Sequence, residues 1–119
     1  DRQAIRAVAE AAHDRHPEAI TGVFGVSDRQ TLSYDPRVRI IKSHADLDSI
    51  IAEARRDRRA FYIYYCGTTE SGNRLPDVMK SVHDAATFEP VADFPGTEAM
   101  FSYHLFRLRP QSQAESSPQ

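Results

Sequence analysis

The chain has 119 residues, 40% of them apolar and 27% charged, with a formal net charge of −2. That length and mixture suit one globular domain that buries roughly two-thirds of its unfolded surface. No window approaches the ~18 continuous apolar residues of a membrane span, and arginines interspersed with Asp and Glu leave no footprint for a polyanion, so nucleic acid is not an expected partner. The single cysteine excludes an internal disulfide and a cysteine-based zinc site.

Ala4, Ile5, Val8, Ala11 and Ala12 recur at helical spacing with Arg2, Arg6, Glu10 and Asp14 on the other face, which predicts an amphipathic helix ending before Pro17. Because this pattern starts at once, behind Asp1 rather than Met, the chain is expected to be a piece of a longer protein or one that has lost a short leader. Residues 20–26 form a short apolar run suited to a buried strand, whose two glycines allow another backbone to approach closely. Residues 27–36 are polar and turn-forming, and residues 37–41 alternate like a strand.

Ser43 is placed to cap a helix with Leu47, Ile50, Ile51 and Ala54 on its inward face and Asp46 in its first turn. Its end, Arg55-Arg56-Asp57-Arg58-Arg59, sets positive charge against unpaired carbonyls; a phosphate-binding patch is the alternative. The aromatic strand Phe61–Cys66 then runs into a polar loop, residues 67–74, and Pro76 opens a third helix with Val78, Met79 and Val82. Residues 88–94 and 100–108 read as an antiparallel pair around Pro95-Gly96-Thr97-Glu98. The Ser-, Gln- and Pro-rich residues 110–119 read as a disordered tail behind a single α/β domain over residues 1–109.

A helix between the second and third strands calls for a right-handed parallel crossover. The expected fold is therefore α/β: a three-layer sandwich, Rossmann-like, with a mostly parallel sheet of about five strands and an antiparallel C-terminal edge strand. The direction of the second strand relative to the first stays open. In such a sheet ligands sit at the carboxyl ends of the strands, which selects Ser27, Asp28, Arg29, Tyr34, Thr68, Thr69, Asn73 and Arg74 as the candidate ligand-binding set. Tyr34, Tyr64, Tyr65, Asn73 and Arg74 have the aromatic and hydrogen-bonding character that suits a sugar or a protein loop.

No complete catalytic or cofactor motif is present, and neither cofactor nor metal is implied. Cys66 stands at a strand end, where a loop and a helix N-terminus can lower a thiol pKa, but Arg74 follows eight positions later rather than the six of cysteine-dependent phosphatases. His13 and His16 are three apart, which makes two metal ligands at most; His44, His83 and His104 lie on other elements, with His83-Asp84 read as a local hydrogen-bonded pair. Gly22 to Gly25 lacks the third glycine of a dinucleotide fingerprint. Asp28, Asp35 and Glu70 share loops that can converge as a glycosidase carboxylate pair, although Tyr34-Asp35-Pro36-Arg37 is equally a turn.

Residues 20–28, Leu32-Ser33-Tyr34-Asp35-Pro36, the helix over residues 45–54 and the strand Phe61–Cys66 resemble the C-terminal segment of large bacterial multi-pass glycosyltransferases. So do Phe88-Glu89-Pro90-Val91-Ala92-Asp93-Phe94-Pro95-Gly96 and Phe101-Ser102-Tyr103-His104-Leu105-Phe106-Arg107. Those enzymes are similar to the dolichyl-phosphate-mannose protein mannosyltransferases and the lipid A aminoarabinose transferases. The resemblance implies an extracytoplasmic, periplasmic domain beside a membrane-embedded site that consumes a polyprenyl-phosphate sugar. Catalytic residues would lie in the transmembrane portion of the parent protein, its implied partner, so none is carried over to this chain. The expected function is a non-catalytic scaffold or an acceptor- or glycan-binding module. The alternatives are a stand-alone enzyme using Cys66 on an anionic substrate, or a sugar- or phosphate-binding α/β module; the oligomeric state stays open.

Overall fold

The structure, a computed structural model, describes residues 6–8, 10, 11, 13, 16–25, 35–67, 69–94 and 102–110. Five strands lie within them: β1 (Ile20–Phe24), β2 (Arg39–Ile40), β3 (Phe61–Cys66), β4 (Phe88–Phe94) and β5 (Tyr103–Leu108). Three helices are bounded there as well, α1 (His44–Asp57), α2 (Thr69–Arg74) and α3 (Pro76–Val82). The described residues of the N-terminal segment between 6 and 13 are also helical.

The strands form one sheet in the order β2-β1-β3-β5-β4. β1 is parallel to β2 and to β3, which fixes the direction that the sequence left open. β5 is antiparallel to β3 and to β4, so the sheet is mixed rather than mostly parallel in its pairings. β5 also lies inside the sheet, correcting the expected C-terminal edge; the edge is β4. The reason is Pro90, which cannot donate to a ladder and sits at a register shift between Pro90 and Ala92. β2 keeps only two of the five residues expected, and the polar stretch after β3 is partly helical, as α2.

All six side chains of β3 are buried, and they feed opposite faces. Phe61, Ile63 and Tyr65 join Leu47, Ile50 and Ala54 of α1 and Val78 and Val82 of α3 in one core. Tyr62, Tyr64 and Cys66 join Val8, Val23, Tyr103 and Leu105 in the other, against which Ala11 packs. Arg6 and Glu10 are exposed, as the helical spacing requires; Arg2, Ala4, Ile5, Ala12 and Asp14 lie outside the described residues.

Helix α1 starts as its sequence dictates. The Ser43 hydroxyl accepts the Asp46 N–H at 3.2 Å, while the Asp46 carboxylate accepts the Lys42 N–H at 2.9 Å. The helix is also bolted to the short edge strand, because Arg39 donates both terminal nitrogens to the Glu53 carboxylate at 2.7 and 2.8 Å. That fork holds the Glu53 carboxyl below the usual carboxylate range.

Gly22 is where close approach is needed, and side chains rather than backbone make the approach. A Cβ there would stand 2.9 Å from Ile41 Cδ1 and 3.2 Å from the Phe61 ring. Gly22→Ala is expected to destabilise the protein by about 1–3 kcal/mol, measured as a lower urea midpoint at unchanged m-value. An unchanged midpoint would show that Ile41 and Phe61 repack without cost.

Candidate functional site

Parallel pairing brings the carboxyl ends of β1, β2 and β3 to one rim. β1 and β3 each leave the sheet through a left-handed glycine, Gly25 at φ 85° and Gly67 at φ 68°, a conformation that side chains bearing Cβ rarely adopt. Arg74, at the end of α2, donates to the Gly25 carbonyl at 3.4 Å. Arg74, from the segment after β3, thereby contacts the residue at which β1 leaves the sheet. Asn73 beside it is exposed. Of the other candidates, Ser27, Asp28, Arg29, Tyr34 and Thr68 lie outside the described residues, as do the side chains of Thr69 and Glu70.

Below the rim, between the sheet and the N-terminal helical residues, lies a polar cluster that sequence reasoning missed. Asp35 is only 3% exposed. Its carboxylate accepts from the Thr21 hydroxyl and the Tyr64 hydroxyl, both at 3.4 Å, and faces His13 Nε2 at 3.5 Å. These are long contacts, and both ring nitrogens of His13 are buried without a hydrogen bond among the described residues. The turn reading of this segment also holds, since the Val38 N–H returns to the Asp35 carbonyl at 3.0 Å. Asp before Pro usually marks a solvated turn, so its sequence carries no sign of burial. His16 goes elsewhere: its Nδ1 meets the Tyr62 hydroxyl at 2.7 Å, which separates the two histidines considered as a metal pair.

On the opposite face, His83 and His104 flank Tyr65, with ring centroids 5.9 and 5.2 Å from it. The Tyr65 hydroxyl meets His83 Nε2 at 2.6 Å, and His104 Nδ1 meets the Asp93 carboxylate at 2.8 Å. His83 therefore pairs with Tyr65 rather than with its neighbour Asp84, which instead accepts from Ala86 N–H and the Thr87 hydroxyl. His44, at the start of α1, reaches Ser81 of α3 at 2.9 Å. Asp93 and His104 are directly opposed across the β4–β5 ladder, and Asp93 is largely exposed, so sheet pairing accounts for their contact.

Burial sets the proton chemistry. It pushes the Cys66 thiol up, with only partial relief from the adjacent Tyr103 hydroxyl. A thiol held protonated is a poor nucleophile. Burial and the negative charge of Asp93 push the Tyr65 hydroxyl up to about 12, and burial beside Cys66 raises Tyr103 in the same direction. Among the described residues no group of three or more His, Cys, Asp or Glu side chains is placed to hold a metal ion. No family model, curated protein or solved structure matches the chain.

Two measurements follow from these protonation states. Alkylation of Cys66 by iodoacetamide at neutral pH is expected to be slower than that of a free cysteine, and a faster reaction would contradict the buried, protonated thiol. For Tyr65 the folded value of about 12 lies above the ordinary 10.0. Its stabilising share is complete below pH 10 and is lost as pH rises towards 12, at up to about 1.4 kcal/mol per pH unit. Tyr103 acts with the same sign. Urea midpoints should fall over that alkaline range and fall less steeply in Tyr65→Phe; equal slopes would remove the assignment.

Proposed function

We propose that this chain is a non-catalytic accessory domain of a membrane glycosyltransferase that uses a lipid-linked sugar donor, and that it holds a glycan or acceptor at its carboxyl rim. The observation that carries the binding part is the Arg74 contact to the Gly25 carbonyl, which ties the exits of β1 and β3 together at the end of the sheet where α/β folds receive ligands. The resemblance in the strands and turns supplies the glycosyltransferase part, and with it the extracytoplasmic location and the partnership with a transmembrane portion. A role in binding rather than bond-making is supported by Cys66, whose burial raises the thiol. The finer fold description, a Rossmann-like three-layer sandwich, is supported by the two separate cores on opposite faces of the sheet.

Titration of the 15N-labelled domain with mannose oligosaccharides tests the rim. The expected result is saturable shifts at Gly25, Gly67, Asn73 and Arg74, weakened about tenfold by Arg74→Ala. Shifts confined to other parts of the molecule would refute the rim as a site. Reading the parent coding sequence tests the family separately: a succession of long apolar helices upstream is expected, and an upstream region without them would count decisively against a multi-pass transferase.

A further inference from the structure

At the other end of the sheet, by the start of β3 and the end of β5, lies a groove of about 740 Å³. Its walls carry Arg55, Arg58, Arg59, Arg107, Arg109 and His16, with no acidic side chain among its lining. On a chain whose net charge is −2, five arginines lining one concavity are an uneven distribution of charge, and a concave basic surface concentrates anions. The volume falls in the ordinary range of small-molecule sites, roughly 300–1,000 Å³.

The arginines are not all spent on the fold. Arg107 is committed to Glu89 at 2.9 Å, and Arg59 stands 3.8 Å from Glu53. Arg59 and Arg109 each direct Nε to a backbone carbonyl, of Glu18 at 2.8 Å and of Ala85 at 2.6 Å, which fixes where their forks stand. Among the described residues, Arg55, Arg58 and Arg109 have no carboxylate partner. Helix-dipole compensation explains positive charge in the last turn of α1, but it does not explain Arg107 and Arg109, which come from β5 and its exit.

Arg58 adds an independent observation. It ends α1 in the left-handed region, at φ 55° and ψ 43°, the position that glycine most often fills. An arginine there costs stability that glycine would not, and strain of this kind collects where a side chain is needed.

We infer that this groove binds a small anion carrying more than one negative charge, of the phosphate-ester or diphosphate class. Arginine forks match tetrahedral oxygens in pairs, and a single carboxylate would engage few of the five arginines that line the groove. Ala54, Ala60, Phe61, Leu108 and Pro110 complete the walls. The site stands at the opposite end of β3 from the rim and does not rest on the glycosyltransferase reading.

Calorimetric titration with inorganic pyrophosphate is the direct test. One saturable site with Kd of about 0.1–1 mM is expected, weakened about tenfold in Arg55→Gln and in Arg109→Gln and unchanged in Arg74→Ala. Arg58→Gly separates binding from folding: it should raise the Tm by about 4 °C while weakening pyrophosphate, a combination that a purely structural arginine does not give. Sedimentation with phosphatidylcholine vesicles with and without phosphatidic acid distinguishes a lipid phosphate from a soluble one as the source. No saturable binding up to about 10 mM pyrophosphate, equal affinity in the groove variants, or loss of binding in Arg74→Ala would overturn the assignment.

Discussion

The rest of the structure depends on the burial of β3 from both sides. Its neighbours β1 and β5 occupy both of its hydrogen-bonding edges, and its side chains are sealed above and below the sheet. A strand so placed cannot slip by one residue, because a slip would turn Tyr62 and Tyr64 into the helix-covered core and Phe61 and Ile63 out of it. Its aromatic composition also sets what can stand nearby. Three tyrosines, Tyr62 and Tyr64 on one face and Tyr65 on the other, bring hydroxyls into the interior, and each must find a polar neighbour. Tyr62 finds His16, Tyr64 finds Asp35 and Tyr65 finds His83. The placement of three polar side chains from distant parts of the chain is thus a consequence of one strand.

That dependence explains which features were legible in the sequence. Helix α1 was readable because its cap, its apolar spacing and its terminal charges are all local, and they agree. Strand β3 was readable from its unbroken run of aromatic and apolar residues, and the carboxyl-end location of Arg74 and Asn73 followed from the parallel crossover. The position of β5 was not, because strand order is decided by pairing between distant segments. A local signal existed nonetheless: Pro90 marks β4 as the strand fit for an edge, and an aromatic run such as Tyr103–Leu108 is better placed inside. Helix α2 was hidden because Thr, Ser, Gly and Asn in Thr69–Arg74 have turn-like propensities. Its packing is tertiary: a Cβ on Gly72 would stand 3.6 Å from Met79 Cγ of α3.

The Asp35 cluster shows the same limit from the side of electrostatics. No residue type near Asp35 announces burial; the cluster exists because Tyr64 and Thr21 are neighbours on one face of adjacent strands and His13 comes from the segment that covers them. A buried carboxylate with three contacts of 3.4–3.5 Å is less tightly held than the paired surface carboxylates Glu53 and Glu89, whose closest nitrogens stand at 2.7 and 2.9 Å. Among the described residues the Asp35–His13 cluster is therefore loosely satisfied, while Tyr62–His16, Tyr65–His83 and the ion pairs near the surface are well formed. A polar group held only by long contacts in a low-dielectric interior gains less from its hydrogen bonds than one with short, aligned contacts.

The two ends of the sheet differ in the physics by which they can hold a ligand. At the carboxyl rim the recognisable elements are backbone: left-handed glycines, a freed carbonyl and one arginine that engages it. Such a surface suits neutral hydroxyl-rich molecules, whose binding is built from many short hydrogen bonds and depends little on salt. At the amino end of β3 the elements are side-chain charges on three separate stretches of chain, and the anion binding proposed there would weaken as ionic strength rises and screens them. Charge cannot be moved from one end to the other without breaking the fold, because Arg107 is fixed opposite Glu89 by the β4–β5 register and Arg59 by the carbonyl of Glu18. The separation is therefore a property of the topology: antiparallel β5 delivers its exit, with Arg109, to the end where parallel β3 begins and α1 terminates.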